Sequence, residues 1–438
     1  MVKTVTFKNY KEEMSGEQPH LGSYGTCNIR DKLMLLYLIS IQLGQLSNRV
    51  PNNDKNRLRE MLFDNCCMVD TYRMKWQKLL MKGRLFSMLV KRLISMPRQS
   101  TVPAVLLFDY HLTLAKSIVS CQNLVFKNLL GTFNSSITAR NHEVRAIAVN
   151  SDANLMAITM NDNTVKLCSL WSKRCLVRLV GHNDTVVSVA IHPSGTAVAT
   201  GSKDKTVRLW GKNSPCSWTC IAIFGRHTDV VTSLAFHLFL PLLVSGSNDK
   251  TAIVWLLDHK LTSAQCVTTI RGHSKCINSV AFHPFLPIVA SASDDKTAKM
   301  WLLLSDDFSS YEELMTLTGH RDSVTAIEYH STLPLFVTAS YDCSVKVWAL
   351  SPDGSLARCI ATLTEHCNRV LALAFHQSAP ILATCGWDRP VKVWVISSDY
   401  SSVSCVANLL GHNGPITSVK FDREHLITCG SDRTVKSW

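Results

Sequence analysis

The chain has 438 residues, 46% of them hydrophobic and 18% charged, with only 14 Pro and 19 Gly, which excludes a disordered, collagen-like or low-complexity polypeptide. Its formal charge of +13 is uneven: residues 1–120 carry 18 basic and 9 acidic side chains, net +9, and the remaining 318 residues only +4. The 16 cysteines are scattered, mostly singly, through a large chain, a usage that fits reduced thiols better than a disulfide framework.

Residues 1–27 mix Lys3, Lys8 and Lys11 with Glu12, Glu13 and Glu17 and lack an apolar h-region, so they read as a disordered tail rather than a secretory or transit peptide. Residues 28–120 read as a small, basic, all-α region with helices over 31–46, 57–67, 70–96 and 105–120. In the third, Trp76, Leu79, Leu80, Phe86, Val90, Leu93 and Ile94 make one stripe at helical spacing. Met81, Leu85, Met88 and Leu89 accompany Lys78, Lys82 and Arg92 on the other side, and apolar residues on both faces favour a core helix over a calmodulin target or membrane anchor. The longest uncharged apolar stretch, 33–48, is shorter than the ~20 residues needed to cross a bilayer. The expectation is a soluble cytoplasmic or nuclear protein that is not secreted.

Strand patterns begin next. Residues 124–131 read as an outer strand, because Asn128-Leu129-Leu130-Gly131 repeats Asn408-Leu409-Leu410-Gly411. A weak unit follows: Val144, Ile147 and Val149 alternate, Leu155 opens a second run, and Asn161-Asp162-Asn163-Thr164 makes a turn before Val165 and Cys168. Six strong units then occupy 182–210, 227–255, 273–301, 320–348, 366–394 and 412–438, each running from a His to a Trp. The Asp stands six residues before every Trp and 22 residues after the His in five units, 20 in the last. A Ser or Thr stands four before each Asp. The recurring tetrads are His182, Thr200, Asp204 and Trp210; His227, Ser245, Asp249 and Trp255; His273, Ser291, Asp295 and Trp301; His320, Thr338, Asp342 and Trp348; His366, Thr384, Asp388 and Trp394; and His412, Thr428, Asp432 and Trp438. Short alternating runs recurring every 45 to 47 residues indicate small antiparallel sheets repeated in an array.

This pattern resembles the WD-repeat β-propeller family over about residues 124–438. Gly-His opens four units, at His182, His273, His320 and His412, whereas Gly225 is separated from His227 by Arg226 and Glu365 precedes His366. The Trp-Asp dipeptide itself is nearly absent. The resemblance implies an all-β seven-bladed propeller over 121–438, preceded by the small all-α region, with the weak unit as a decayed first blade. In that unit Arg140 takes the His place, Ile158 the hydroxyl place and Cys168 the Trp place, while Asp162 survives. Since Trp438 falls on a third strand, residues 124–131 are expected to supply the missing fourth strand and close the ring.

A buried indole N–H needs an acceptor, and a hydroxyl supplies one while donating to a His whose other nitrogen faces the Asp. His227, Ser245 and Asp249 also have the residue types of a hydrolase triad, but a sixfold set with a Trp as fourth member is structural. No HxxxH or CxxC spacing and no phosphate-binding Gly loop occurs, so no catalytic residue, metal or cofactor is expected.

What remains is binding. The residue before each Asp reads Asn161, Lys203, Asn248, Asp294, Tyr341, Trp387 and Ser431. In the family's geometry these turns and the His loops share one face, and Trp387, Tyr341, Arg369 and Leu371, with Lys203 and Asp294, are the candidate protein-binding residues, since Trp, Tyr and Arg are enriched in hot spots. The leading reading is therefore a non-catalytic interaction scaffold or adaptor binding a protein or peptide. Two further readings rest on residues 28–120. One is a substrate receptor of a ubiquitin ligase with a divergent F-box-like module, although the opening Leu-Pro is missing. The other is a ribonucleoprotein or nucleic-acid-associated factor, suggested by the +9 charge. Leu33, Met34, Tyr37, Leu38 and Gly44 also resemble a LisH dimerisation helix, which would give self-association or a second partner there.

Overall fold

The structure is a computed structural model that describes the backbone of residues 135–138 and residues 142–438, except 215–216, 259–260, 262, 306, 352–353, 398–399 and 424. The expected tail over 1–27 and helices over 28–120 lie outside the described residues. The rest forms seven four-stranded antiparallel sheets, one for each sequence unit. In blade six, for example, Val370–Phe375 is the inner strand, followed by Ile381–Gly386, Val391–Ile396 and the outer strand Val403–Leu409.

Burial follows from position within a blade. The second strands, such as Leu335–Ser340 and Ile381–Gly386, are buried at every residue, because both faces of each sheet are covered by neighbouring blades. Outer strands such as Val403–Leu409 alternate between half-buried and exposed. Each junction has an apolar core: Ile381, Ala383, Val391 and Val393 of blade six meet Ile416, Val419, Phe421 and Trp438 of blade seven. Between blades seven and one, Ile427, Cys429 and Val435 meet Met156, Ile158, Met160 and Cys168. Here the lost Trp and hydroxyl of the first unit are replaced together by apolar side chains, with flexible Met filling the space. Replacing all partners of a buried polar set at once avoids the penalty of leaving one unpaired.

The ring closes differently from the expectation. Residues Ser135–Thr138, not 124–131, pair with the last strand, with Ser135 opposite Ser437 and Thr138 opposite Thr434. Ile137 lies opposite Val435 just as Leu409 lies opposite Val391. That register leaves three residues from Ile137 to the His place at Arg140, the same interval as from Leu409 to His412. The Asn-Leu-Leu-Gly likeness puts Gly131 nine residues from Arg140, too far for a Gly that directly precedes the His place. Residues 124–131 themselves lie outside the described residues.

A second ring of histidines links the blades at the far ends of the inner strands. His237 Nε2–H donates to Leu286 O (3.3 Å), His330 Nε2–H to Ala379 O (3.0 Å) and His376 Nε2–H to Arg423 O (3.1 Å), each in the next blade. Their Nδ1 atoms accept backbone N–H groups of the following turn, as from Leu240 and Leu333 at 3.0 Å. The rings of His192, His237, His283, His330 and His376 stand edge-on to Phe236, Phe282, Tyr329, Phe375 and Phe421, again one blade on. Burial lowers His237 and His330 to about 4 and His283 to about 3, so all three are neutral near pH 7. Asn150 occupies the same position in blade one, where its Nδ2 donates to His192 O and Pro193 O, both at 3.1 Å.

Candidate protein-binding face

The six tetrads share one geometry. The Trp Nε1–H donates to the Ser or Thr Oγ at 2.8 to 3.0 Å. Since an indole only donates, that hydroxyl gives its own proton to the His Nε2, at 2.7 to 2.9 Å. The His Nδ1–H is then left for the Asp Oδ2, at 2.6 to 3.0 Å. In five units the other oxygen, Oδ1, accepts the N–H and hydroxyl of the residue two after the Asp: Thr206, Thr251, Thr297, Ser344 and Thr434. Burial would raise Asp204 and Asp342, but these hydrogen bonds outweigh it and hold both at about 2. Burial of the imidazole lowers His182, His273, His320 and His412 despite the facing carboxylate. Ser245 is fully buried and already bonded to Trp255, so its hydroxyl is closed to a substrate. Among the described residues no group of three His, Cys, Asp or Glu is placed to hold a metal.

Blade one replaces the network. Asp162 accepts Thr164 N–H (3.2 Å) and Oγ1–H (2.6 Å) and is paired with Arg178 from the outer strand, whose Nε–H donates to Thr164 Oγ1 at 3.0 Å. The surviving Asp has thus gained a half-exposed Arg, with His142 Nε2 3.8 Å from the same carboxylate oxygen.

The turns carrying the tetrad Asp residues place the candidate binding side chains. The Arg369 guanidinium lies over the Tyr341 ring, 4.7 Å from its centroid, joining blades five and six. Trp387 N–H donates to Arg369 O at 2.9 Å, and the Trp387 side chain remains 50% exposed. Leu371 follows on the inner strand and is half-buried. Lys203 is exposed in blade two, held by its N–H to Thr185 O at 3.0 Å. Asp294 is half-buried in blade four and accepts from Asn278 Nδ2 at 2.6 Å. Tyr341, Arg369 and Trp387 are therefore brought together, while Lys203 and Asp294 stand on other blades.

A family model described as WD domain, G-beta repeat matches residues 173–211, 218–255, 264–301, 311–349, 357–394 and 403–438, more than half of the chain. The chain is a WD-repeat protein. Among its relatives, the nuclear distribution protein nudF of Aspergillus flavus is 41% identical over 63 residues, 14% of this chain and 13% of the relative. The Set1 complex component swd2 of Schizosaccharomyces pombe is 35% identical over 65 residues, 15% and 18% of the two chains. WD repeat-containing protein 82 of Drosophila melanogaster is 30% identical over 116 residues, 25% and 36%. The WD-repeat chain thus spans between about an eighth and just over a third of these relatives' lengths.

Two further residues lie beneath or beside the patch and were not singled out from the sequence: Gly386 and Pro390. Blades two to five carry Ser-x-Asp-x-Thr or Ser-x-Asp-x-Ser at this turn, whereas blade six reads Gly386-Trp387-Asp388-Arg389-Pro390. Pro390 offers neither N–H nor hydroxyl, and Asp388 Oδ1 is buried without a hydrogen-bond partner. A Cβ on Gly386 would stand 2.0 Å from Arg369 O, so the absence of a side chain lets the Arg369 strand close in beneath Trp387. The signal was present as a double departure from the turn consensus at the very unit carrying the exposed Trp.

Proposed function

We propose that this WD-repeat ring is a non-catalytic protein-interaction scaffold that holds a peptide or protein partner on the patch of Trp387, Tyr341, Arg369 and Leu371, with Lys203 and Asp294 as outlying contacts. The observation that carries this reading is the Arg369 guanidinium stacked on Tyr341 beside a half-exposed Trp387. Stacking fixes a long cationic side chain before any partner arrives, which lowers the ordering cost of binding. An exposed indole offers a large rigid contact area. The relatives' names, a nuclear distribution protein and a Set1 complex component, are in keeping with a partner-binding role in a cytoplasmic or nuclear setting. The ubiquitin-ligase and nucleic-acid readings depend on residues 28–120, outside the described residues, and nothing in the ring favours either.

The test is affinity capture with the full chain against a Trp387→Ala, Arg369→Ala double variant. Loss of the recovered partners with an unchanged melting curve is expected. Recovery of every partner by the double variant would move the binding face elsewhere, and unfolding would make the patch structural.

A further inference from the structure

Five outer strands present a cysteine at one register position. In blades two, three, five and six it lies opposite the tetrad Trp: Cys220 faces Trp210, Cys266 faces Trp255, Cys359 faces Trp348 and Cys405 faces Trp394. Blade four has Glu313 opposite Trp301. Blade one alone among these has lost its Trp to Cys168, and there Cys175 is the cross-strand partner of Cys168. Decay of the first tetrad has therefore set two thiols face to face. A register shift between Leu167 and Cys168 adjoins the pair; directly opposed residues of antiparallel strands have Cα atoms about 4.5–5.5 Å apart, inside the range of about 4.4–6.8 Å that a disulfide spans. The register is held by the intervening turn, with Ser169 N–H donating to Arg174 O and Lys173 N–H to Ser169 O, both at 2.9 Å. Both thiols are free, Cys175 exposed and Cys168 buried.

We propose that Cys168 and Cys175 form a thiol–disulfide exchange site, in which a small disulfide of the oxidised-glutathione class converts the pair into a cross-strand staple of blade one. The exposed Cys175 thiolate attacks one sulfur of the small disulfide, releasing one thiol and leaving a mixed disulfide. Cys168, losing its proton to solvent, then attacks the Cys175 sulfur and expels the second thiol. Two protein S–H bonds become one S–S bond, and the small disulfide leaves as two thiols. Burial first, and the neighbouring Cys175 second, push the Cys168 thiol up to about 12, so closure speeds up with rising pH as the thiolate fraction grows, about tenfold per pH unit. The staple would tie the outer strand to a side chain of the blade seven–blade one core, where the closing strand joins the ring.

The experiment incubates the full chain with oxidised glutathione, blocks free thiols and digests with trypsin without reduction. Cleavage after Lys173 and Arg174 separates peptide 167–173 from 175–178, so a linked pair reports the staple directly. The linked pair should accumulate while the glutathione adduct at Cys175 stays transient. At Cys220, exposed but opposite Trp210, the adduct should persist. An adduct at Cys175 as long-lived as that at Cys220 would overturn the proposal. Cys175→Ser, at an exposed position, should leave Cys168 unmodified. A glutathione adduct on Cys168 in that variant would show that the buried thiol is reached directly and would equally overturn the ordered exchange.

Discussion

Acid should open this ring well before the tetrad carboxylates are protonated, and the buried inner-strand histidines set the size of the effect. His237 and His330 fall from 6.5 to about 4 on folding, and His283 to about 3. Between the folded and unfolded values the unfolded chain binds more protons, so their stabilisation is intact above pH 6.5 and is lost as pH falls through that value. At pH 5 each contributes a loss of about 2 kcal/mol, and the three, taken as independent, about 6 kcal/mol, comparable with the whole stability of many domains, about 5–15 kcal/mol. His376 and the tetrad histidines His182, His273, His320 and His412 are shifted in the same direction and add to it. Asp204 and Asp342, held at about 2, have a dependence of the same sign in a lower window, keeping their stabilisation above 3.8 and losing it as pH falls from there through the folded value. The two windows are therefore separate. The perturbation is His237→Asn with His330→Asn, which copies the Asn150 solution of blade one: an amide donates to the next blade and its oxygen accepts a turn N–H, as from Ala153 at 3.0 Å. Lost packing against Phe282 and Phe375 should cost the variant about 1–3 kcal/mol at neutral pH, but about 4 of the 6 kcal/mol lost on acidification should be recovered. Urea unfolding followed by Trp fluorescence near pH 7.5 and pH 5 measures both quantities. A parent midpoint that does not move between these pH values, or an equal acid shift in parent and variant, would refute the reasoning.

Gly386→Ala should push the Arg369 strand away from Trp387, weakening partner capture at least tenfold while costing stability by about 1–3 kcal/mol; unaltered capture would mean that the close approach does not shape the patch. Asp249→Ala leaves His227 Nδ1–H, Thr228 N–H and the Thr251 donors unpaired and should destabilise by about 1–3 kcal/mol. Asp162→Ala, whose main charged partner Arg178 is half-exposed, should cost no more than about 1 kcal/mol; equal losses in chemical unfolding would contradict the assignment of blade one as decayed. A truncation beginning at residue 132 keeps the closing strand and should melt like a chain beginning at 121, whereas one beginning at 142 exposes the Thr434–Ser437 edge and should melt several degrees lower. Identical melting of all three truncations would show that residues 135–138 do not close the ring.

The architecture was legible because it is written in repeats. A fixed His-to-Asp-to-Trp spacing can persist through six units only if the same hydrogen-bond chain is closed six times, and any single register error would bury an unpaired polar group. The exposed Trp387 beside Arg369 was legible for the same reason, as a departure from what its equivalents carry. A second recurrence, the aromatic or aliphatic residue followed by His at positions 192, 237, 283, 330 and 376, was equally visible but silent, since nothing local says that these imidazoles latch onto the next blade.

The sequence by itself thus determined the number of blades, the strands within each and the turns that line one face, because those depend on short-range spacing and on polar groups that must pair within one unit. Tertiary structure alone decided everything that crosses between units. It placed Ser135–Thr138 rather than 124–131 on the last strand, since closing a ring selects the segment whose distance to the first blade fits, not the one with the nearest composition. Packing between blades one and seven took the Cys168 that replaces a lost Trp into its apolar core. The backbone of Arg369 approaches Gly386 where a Cβ would not fit, and the Arg369 guanidinium lies on Tyr341 across a blade junction, because contacts between sheets are fixed by volume and backbone approach, which a periodic pattern along one chain does not encode.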